Sequence, residues 1–130
     1  MFIDTSVIIA ILSQEDDARE FAEIIEAAPD RYTSALVLLE AAMRLSTKLN
    51  VDPVIVEERL RYFVVEAQIE IAPMDERTAS LAIKAFADYG KGRGHPAQLN
   101  LADCLSYACA KSLGTRLLYK GRDFAKTDLA

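Results

Sequence analysis

Along the chain, short apolar runs alternate with longer segments whose apolar residues recur every three or four positions, the period of a helix with one buried face. Phe2-Ile3-Asp4 reads as a short strand ending at Thr5-Ser6, two hydroxyl residues suited to cap the apolar helix Val7 to Leu12. Asp16 and Asp17 can start a second helix, in which Phe21, Ile24, Ile25 and Ala28 follow i, i+3, i+4, i+7 before Pro29 stops it. Tyr32-Thr33 is brief and extended. Ser34 then caps a helix through about Lys48, and Asp52-Pro53 fits the cap and first turn of another reaching Glu66. Ile69, Ile71 and Pro73, with Glu70 and Ala72 between them, predict a strand, followed by Asp75 as cap of a helix through Tyr89. Three glycines and a proline exclude regular structure from Gly90 to Pro96. Asn100 begins a last helix ending near Ser112, with Gly114 placed to cap its C-terminus, and Arg116 to Tyr119 is the final strand. Strands alternating with single or paired helices imply an α/β fold, a short parallel sheet covered by helices on both faces.

Composition narrows this picture. A chain of 130 residues, 52% of them hydrophobic, has the size and apolar content of one domain spanning 1–130 with one packed core. No repeat or low-complexity tract interrupts it. The apolar runs stop well short of the ~20 residues of a membrane-spanning helix, and Met1 leads straight into a strand with no leader-like segment, so cytoplasmic residence is expected. Cys104 and Cys109 lie five residues apart in one helical segment, on different faces, and match no zinc or redox spacing; two buried, reduced thiols are expected. The net charge of -5 argues against a nucleic-acid binder that works by general electrostatic attraction. A nucleic-acid substrate would require local basic groups and a metal.

The acids carry the chemistry. In open α/β sheets ligands bind beyond the carboxyl ends of the strands, and Asp4 and Asp123 both fall there, although either can also be a turn or cap residue. Glu40 has Leu36, Val37 and Met43 as its helical neighbours; a carboxylate on a mostly apolar face needs a partner, which Arg44 at i+4 offers on a structural reading. Asp103 would occupy the third position of the helix begun by Asn100, a capping-box pattern. Capping and metal binding do not exclude each other, because the same helix terminus favours an ionised acid. Mg²⁺ takes hard oxygen ligands, usually one or two carboxylates plus substrate phosphate oxygens and waters. Four acids converging on one cavity suit that ion, which can lower the pKa of a bound water and neutralise the leaving oxygen of a phosphodiester. Without a cysteine and histidine cluster zinc is disfavoured, and calcium would add no nucleophile.

Taken in order, Asp4-Thr5-Ser6, Glu40, Asn100-Leu101-Ala102-Asp103-Cys104, and Leu117-Leu118-Tyr119-Lys120-Gly121-Arg122-Asp123-Phe124 with Thr127-Asp128 resemble the PIN-domain family, and within it the VapC toxins of toxin–antitoxin pairs. The resemblance covers essentially the whole chain. It implies a PIN-like three-layer α/β/α fold and an endoribonuclease that cleaves RNA phosphodiesters with Mg²⁺ or Mn²⁺. It also implies a homodimer held inactive by a cognate VapB-type antitoxin. By position, Asp4 and Asp103 are similar to the principal metal ligands of the family, and Glu40 completes the acidic pocket. Asp123 fits the fourth acidic position best, with Asp128 as the alternative five residues on. Thr5 is similar to a hydroxyl that braces the first aspartate, and Asn100 to a residue that holds the Asp103 helix.

Basic residues fill in the rest. Lys91, Arg93 and His95 in the glycine-rich loop, with Lys120 and Arg122 near the acids, are candidates for phosphate contacts, against a reading of the first three as a solvated loop. His95, the only histidine, precedes Pro96 in a flexible segment and is not assigned as a general base. Two other functions compete. A phosphorelay receiver-like module has similar length and Mg²⁺-binding acids, with Asp75 and Lys120 mimicking its phospho-acceptor and lysine; it would leave Glu40 and Asp103 without roles. A catalytically inactive PIN-like module that only binds a partner is opposed by the intact acid set.

Overall fold

The computed structural model describes all 130 residues. Four short strands, β1 (Phe2–Ile3), β2 (Tyr32–Ser34), β3 (Glu70–Ala72) and β4 (Leu117–Leu118), form one parallel sheet in the order β3-β2-β1-β4. In register, Phe2 lies opposite Tyr32 on one side and Leu117 on the other, and Tyr32 opposite Glu70. Successive strand residues point to opposite faces. Both Phe2 and Ile3 are fully buried, so both faces of β1 are covered and the molecule is a three-layer α/β/α fold.

Six helices supply the outer layers: α1 (Thr5–Leu12), α2 (Ala18–Ala27), α3 (Ala35–Leu49), α4 (Pro53–Glu66), α5 (Glu76–Tyr89) and α6 (Leu101–Leu113). Their bounds follow local chemistry. Ser34 accepts from the Val37 amide, Asp52 from Val54 with Pro53 opening the helix, and Asp75 forms a capping box with Thr78. Gly114, in the left-handed conformation, ends α6 as its position suggested. The first helix differs from expectation. Asp4, rather than Thr5-Ser6, is its cap, and the helix begins one residue after the strand's acid.

The α3–α4 and α5–α6 pairs pack as hairpins, α1 lies on α2 and α3, and α6 meets β1, β4 and α3. One cluster of 22 buried hydrophobic residues, among them Phe2, Ile8, Leu45, Leu60, Leu99 and Phe124, joins these elements into a single core. Cys104 and Cys109 are both buried and free, and burial pushes both thiols up in pKa, Cys109 to about 11. No helix is long and apolar enough to cross a membrane.

Candidate active site

In a parallel sheet every strand ends at the same edge, and a helix leading into a strand starts at that edge too. Asp4 follows β1, Asp123 follows β4, Glu40 lies on the helix that leaves β2, and Asp103 sits in the first turn of α6, which returns into β4. The N-termini of α1, α3 and α6 therefore open toward one edge, where their partial positive ends favour anions. Sequence separation is large, but topology brings the four acids together.

Electrostatics report how close they are. Burial raises the Asp103 carboxyl to about 6, against the hydrogen bond from the Asn100 amide, and the charges of Asp123, Asp4 and Glu40 add to the rise. Asp103 thus feels all three of the other acids. It also accepts from the Asn100 amide at 3.1 Å while Asn100 accepts from the Asp103 amide at 2.9 Å, so the capping box and the acid cluster coexist in one residue. Arg44, the structural partner available to Glu40, forms no ion pair with it. Glu40 is left without a cation, and its charge acts on Asp103.

Two open choices are decided by contacts. Asp128 is engaged elsewhere: Tyr107 Oη donates to its Oδ1 at 2.6 Å and Lys111 Nζ to its Oδ2 at 2.5 Å. Burial acts to raise Asp128, but these bonds outweigh it and hold its carboxyl below the ordinary range. Asp123, and not Asp128, is among the acids whose charge acts on Asp103. The bracing hydroxyl also changes place. Ser6 Oγ, not Thr5, donates to Asp4 Oδ2 at 2.6 Å, and the Ser6 amide adds a bond at 3.1 Å. Thr5 Oγ1 is buried with no partner at all. Sequence reasoning missed Ser6, although a hydroxyl two residues after an N-cap Asp is a recognisable turn signature.

The basic candidates separate likewise. Lys120 is occupied by Glu15 and Asp17, whereas Lys91, Arg93 and Arg122 are exposed and form no ion pair. His95 Nδ1 accepts from the Ala97 amide at 3.1 Å and its ring stands edge-on to Tyr89, an anchoring role for the loop. The receiver-like reading loses its acceptor: Asp75 caps α5 beyond the edge strand β3, with its carboxyl held low by the Thr78 amide and hydroxyl.

No three acidic, histidine or cysteine side chains are close enough together to hold a metal ion by themselves. The acids repel one another without forming a closed chelate. That donor set fits Mg²⁺ or Mn²⁺ bound by one or two carboxylates with waters and phosphate oxygens, and does not fit a protein-enclosed zinc site.

Comparison with known proteins bears on the family and the fold. A family model described as PIN domain matches residues 1–129. Ribonuclease VapC28 of Mycobacterium tuberculosis and VapC ribonuclease Mb0625 of Mycobacterium bovis are each 46% identical over 127 residues, 98% of this chain and 93% of theirs. Ribonuclease VapC42 of Mycobacterium tuberculosis is 38% identical over 131 residues, covering 99% of this chain and 96% of its own. Among solved structures, a chain of a toxin-antitoxin complex from Klebsiella pneumoniae is similar in fold, with TM-score 0.70 at 20% identity, over 98% of this chain and 92% of that one.

Proposed function

Because the chain belongs to the PIN-domain family, we propose that it is the toxin ribonuclease of a type II toxin–antitoxin pair, an endonuclease that hydrolyses RNA phosphodiesters at the cleft formed by Asp4, Glu40, Asp103 and Asp123. The observation that carries this reading is the coupling of Asp103 to the other three acids at the carboxyl edge of the sheet. The ribonuclease relatives supply the substrate class.

The site is divalent-metal dependent, with Mg²⁺ as the ion and Mn²⁺ as its substitute. Asp4 and Asp103 hold it, and Glu40 and Asp123 complete the pocket. When bound, such an ion supplies a water of lowered pKa and charge neutralisation at the leaving oxygen. The chain's own residues do the rest. Ser6 fixes the rotamer of Asp4, Asn100 fixes the first turn of α6 beneath Asp103, and the converging helix N-termini draw the phosphate toward the acids. Arg122, exposed next to Asp123 in the chain and in no ion pair, offers an unneutralised cation to the RNA backbone.

The partners are RNA, a cognate VapB-type antitoxin and a second copy of the chain. Exposed apolar side chains support both protein partners: Leu39, Met43 and Val54 on α3 and α4, and Ile83, Phe86 and Leu101 on α5 and α6. Incubating purified protein with RNA in Mg²⁺, Mn²⁺ and EDTA tests the core of the reading. Cleavage is expected with either metal and none in EDTA; equal cleavage in EDTA would overturn it.

A further inference from the structure

Lys120 joins three segments next to the acids. Its backbone amide donates to Ser6 Oγ at 2.9 Å, the same hydroxyl that donates to Asp4. Its ammonium is shared between Glu15 and Asp17, the latter at 3.0 Å. The other Glu15 oxygen receives Lys48 Nζ at 2.7 Å, and Lys48 also donates to Ser13 Oγ at 3.0 Å. Asp17 stands at the N-cap of α2 yet makes no capping bond, its carboxylate being given to Lys120. The turn between α1 and α2, the end of α3 and the loop after β4 meet at Glu15, which takes Lys48 on one oxygen and Lys120 on the other.

The loop it holds carries the fourth acid. Phe124 is buried, with Tyr119 packed against it at 5.2 Å, while Gly121, Arg122 and Asp123 are exposed and Gly121 takes a φ of +100°. Between the Phe124 anchor and the Lys120 grip, the Arg122 carbonyl accepts from the Ala125 amide at 3.1 Å, a bond within the loop that ties it to no other element. Half-exposed ion pairs contribute little to stability. What four converging charges do well is fix a geometry.

We propose, on the basis of the ribonuclease reading, that Lys120 is a positioning residue whose ion pairs with Glu15 and Asp17 hold the Tyr119–Asp123 loop against Ser6, so that Asp4 keeps its metal-holding rotamer and Asp123 its place in the acidic pocket, and that its ammonium is not a phosphate ligand. Glu15 and Asp17 are then part of the site's scaffold although they lie outside the cleft.

The test compares wild type with Lys120→Met, Lys120→Arg, the double variant Glu15→Gln/Asp17→Asn and the triple variant combining that pair with Lys120→Met. Mn²⁺ binding is measured by calorimetry without RNA, and RNA cleavage in parallel. Lys120→Met and the double variant should each weaken Mn²⁺ binding by on the order of 10-fold, as expected for groups that orient metal ligands. The triple variant should be no worse than Lys120→Met, because all act through one contact, and Lys120→Arg should retain most of the affinity. Tighter RNA binding or faster cleavage by the double variant, whose ammonium is released, overturns the proposal and makes Lys120 a phosphate ligand. Mn²⁺ affinity unchanged in the double variant also overturns it. If Lys120→Met does not fold, the double variant and Lys120→Arg decide. Should wild type bind Mn²⁺ but cleave no RNA, the ribonuclease reading fails, and the clamp stands or falls on the Mn²⁺ data alone.

Discussion

Two clusters of acids lie within one hydrogen-bonded chain of each other, and their chemistry is opposite. Glu15 and Asp17 share Lys120, and Lys48 completes a neutral set; the Lys120 and Lys48 hydrogen bonds hold the Glu15 carboxyl down to about 2. Asp4, Glu40, Asp103 and Asp123 share no cation, and the burial of Asp103 among its like-charged neighbours pushes it up to about 6. The first cluster is complete as folded. On the proposed reading the second receives its cation from outside, and Ser6 and the Lys120 amide bridge the two.

The sharpest way to break this contrast is to neutralise one acid from each set. Asp4→Asn or Asp103→Asn should lower Mg²⁺-dependent cleavage by at least ~100-fold with unchanged circular dichroism, a loss typical of removing a group that touches the reacting centre. Glu15→Gln alone, leaving Asp17 on Lys120, should cost no more than ~10-fold. Equal losses in the two sets, or no loss in Asp4→Asn and Asp103→Asn, would erase the distinction.

Stability should diverge next. An acid raised from 3.8 to about 6 contributes nothing adverse while protonated, and destabilises the fold progressively as pH rises from about 4 to 6. In EDTA at pH 8, Asp103→Asn should therefore be more stable than wild type. The expected gain is on the order of 1–2 kcal/mol, discounted for the partial exposure of Asp103 and for the favourable helix end it occupies. The advantage should vanish near pH 4 and shrink in Mg²⁺, which stabilises only the intact ligand set. Glu15 has the reverse sign. Its contribution is present above about 4.5 and lost as pH falls toward 2, so Glu15→Gln should melt slightly lower than wild type at pH 7 and match it near pH 2. Thermal melts across pH check both; an Asp103→Asn protein that melts below wild type in EDTA at pH 8 contradicts the repulsion.

The smallest effect concerns the acid that belongs to neither set. Asp128→Asn loses charge on the Tyr107 and Lys111 bonds and should cost about 1 kcal/mol or less. Cleavage should be unchanged. A 100-fold loss would return Asp128 to the active site in place of Asp123.

Much of this was legible in the chain because it is written locally. Asp52-Pro53, Asp75 with Thr78, and Asn100 with Asp103 mark helix starts through bonds spanning two or three residues, and α4 and α5 begin and end where those signals put them. Asp4 and Asp103 were likewise singled out from their places at element ends, and Glu40 as a carboxylate on a mostly apolar helix face. Long-range bonds were out of reach. Nothing in Lys120 announces that it will meet Glu15 and Asp17 rather than a phosphate, because the pairs span 105 and 103 residues. The choice between Asp123 and Asp128 turned on Tyr107, 21 residues before Asp128. The sheet order was equally hidden, since two-residue strands carry almost no pairing information of their own.

That order has a consequence for synthesis. β1, the first strand made, pairs on one side with β4, and Ser6 waits for an amide 114 residues further along. As the chain leaves a ribosome, Asp4 and Glu40 are translated 80 residues or more before Asp123 and the grip of Lys120. A nascent chain therefore carries most of its acids but not the arrangement that unites them.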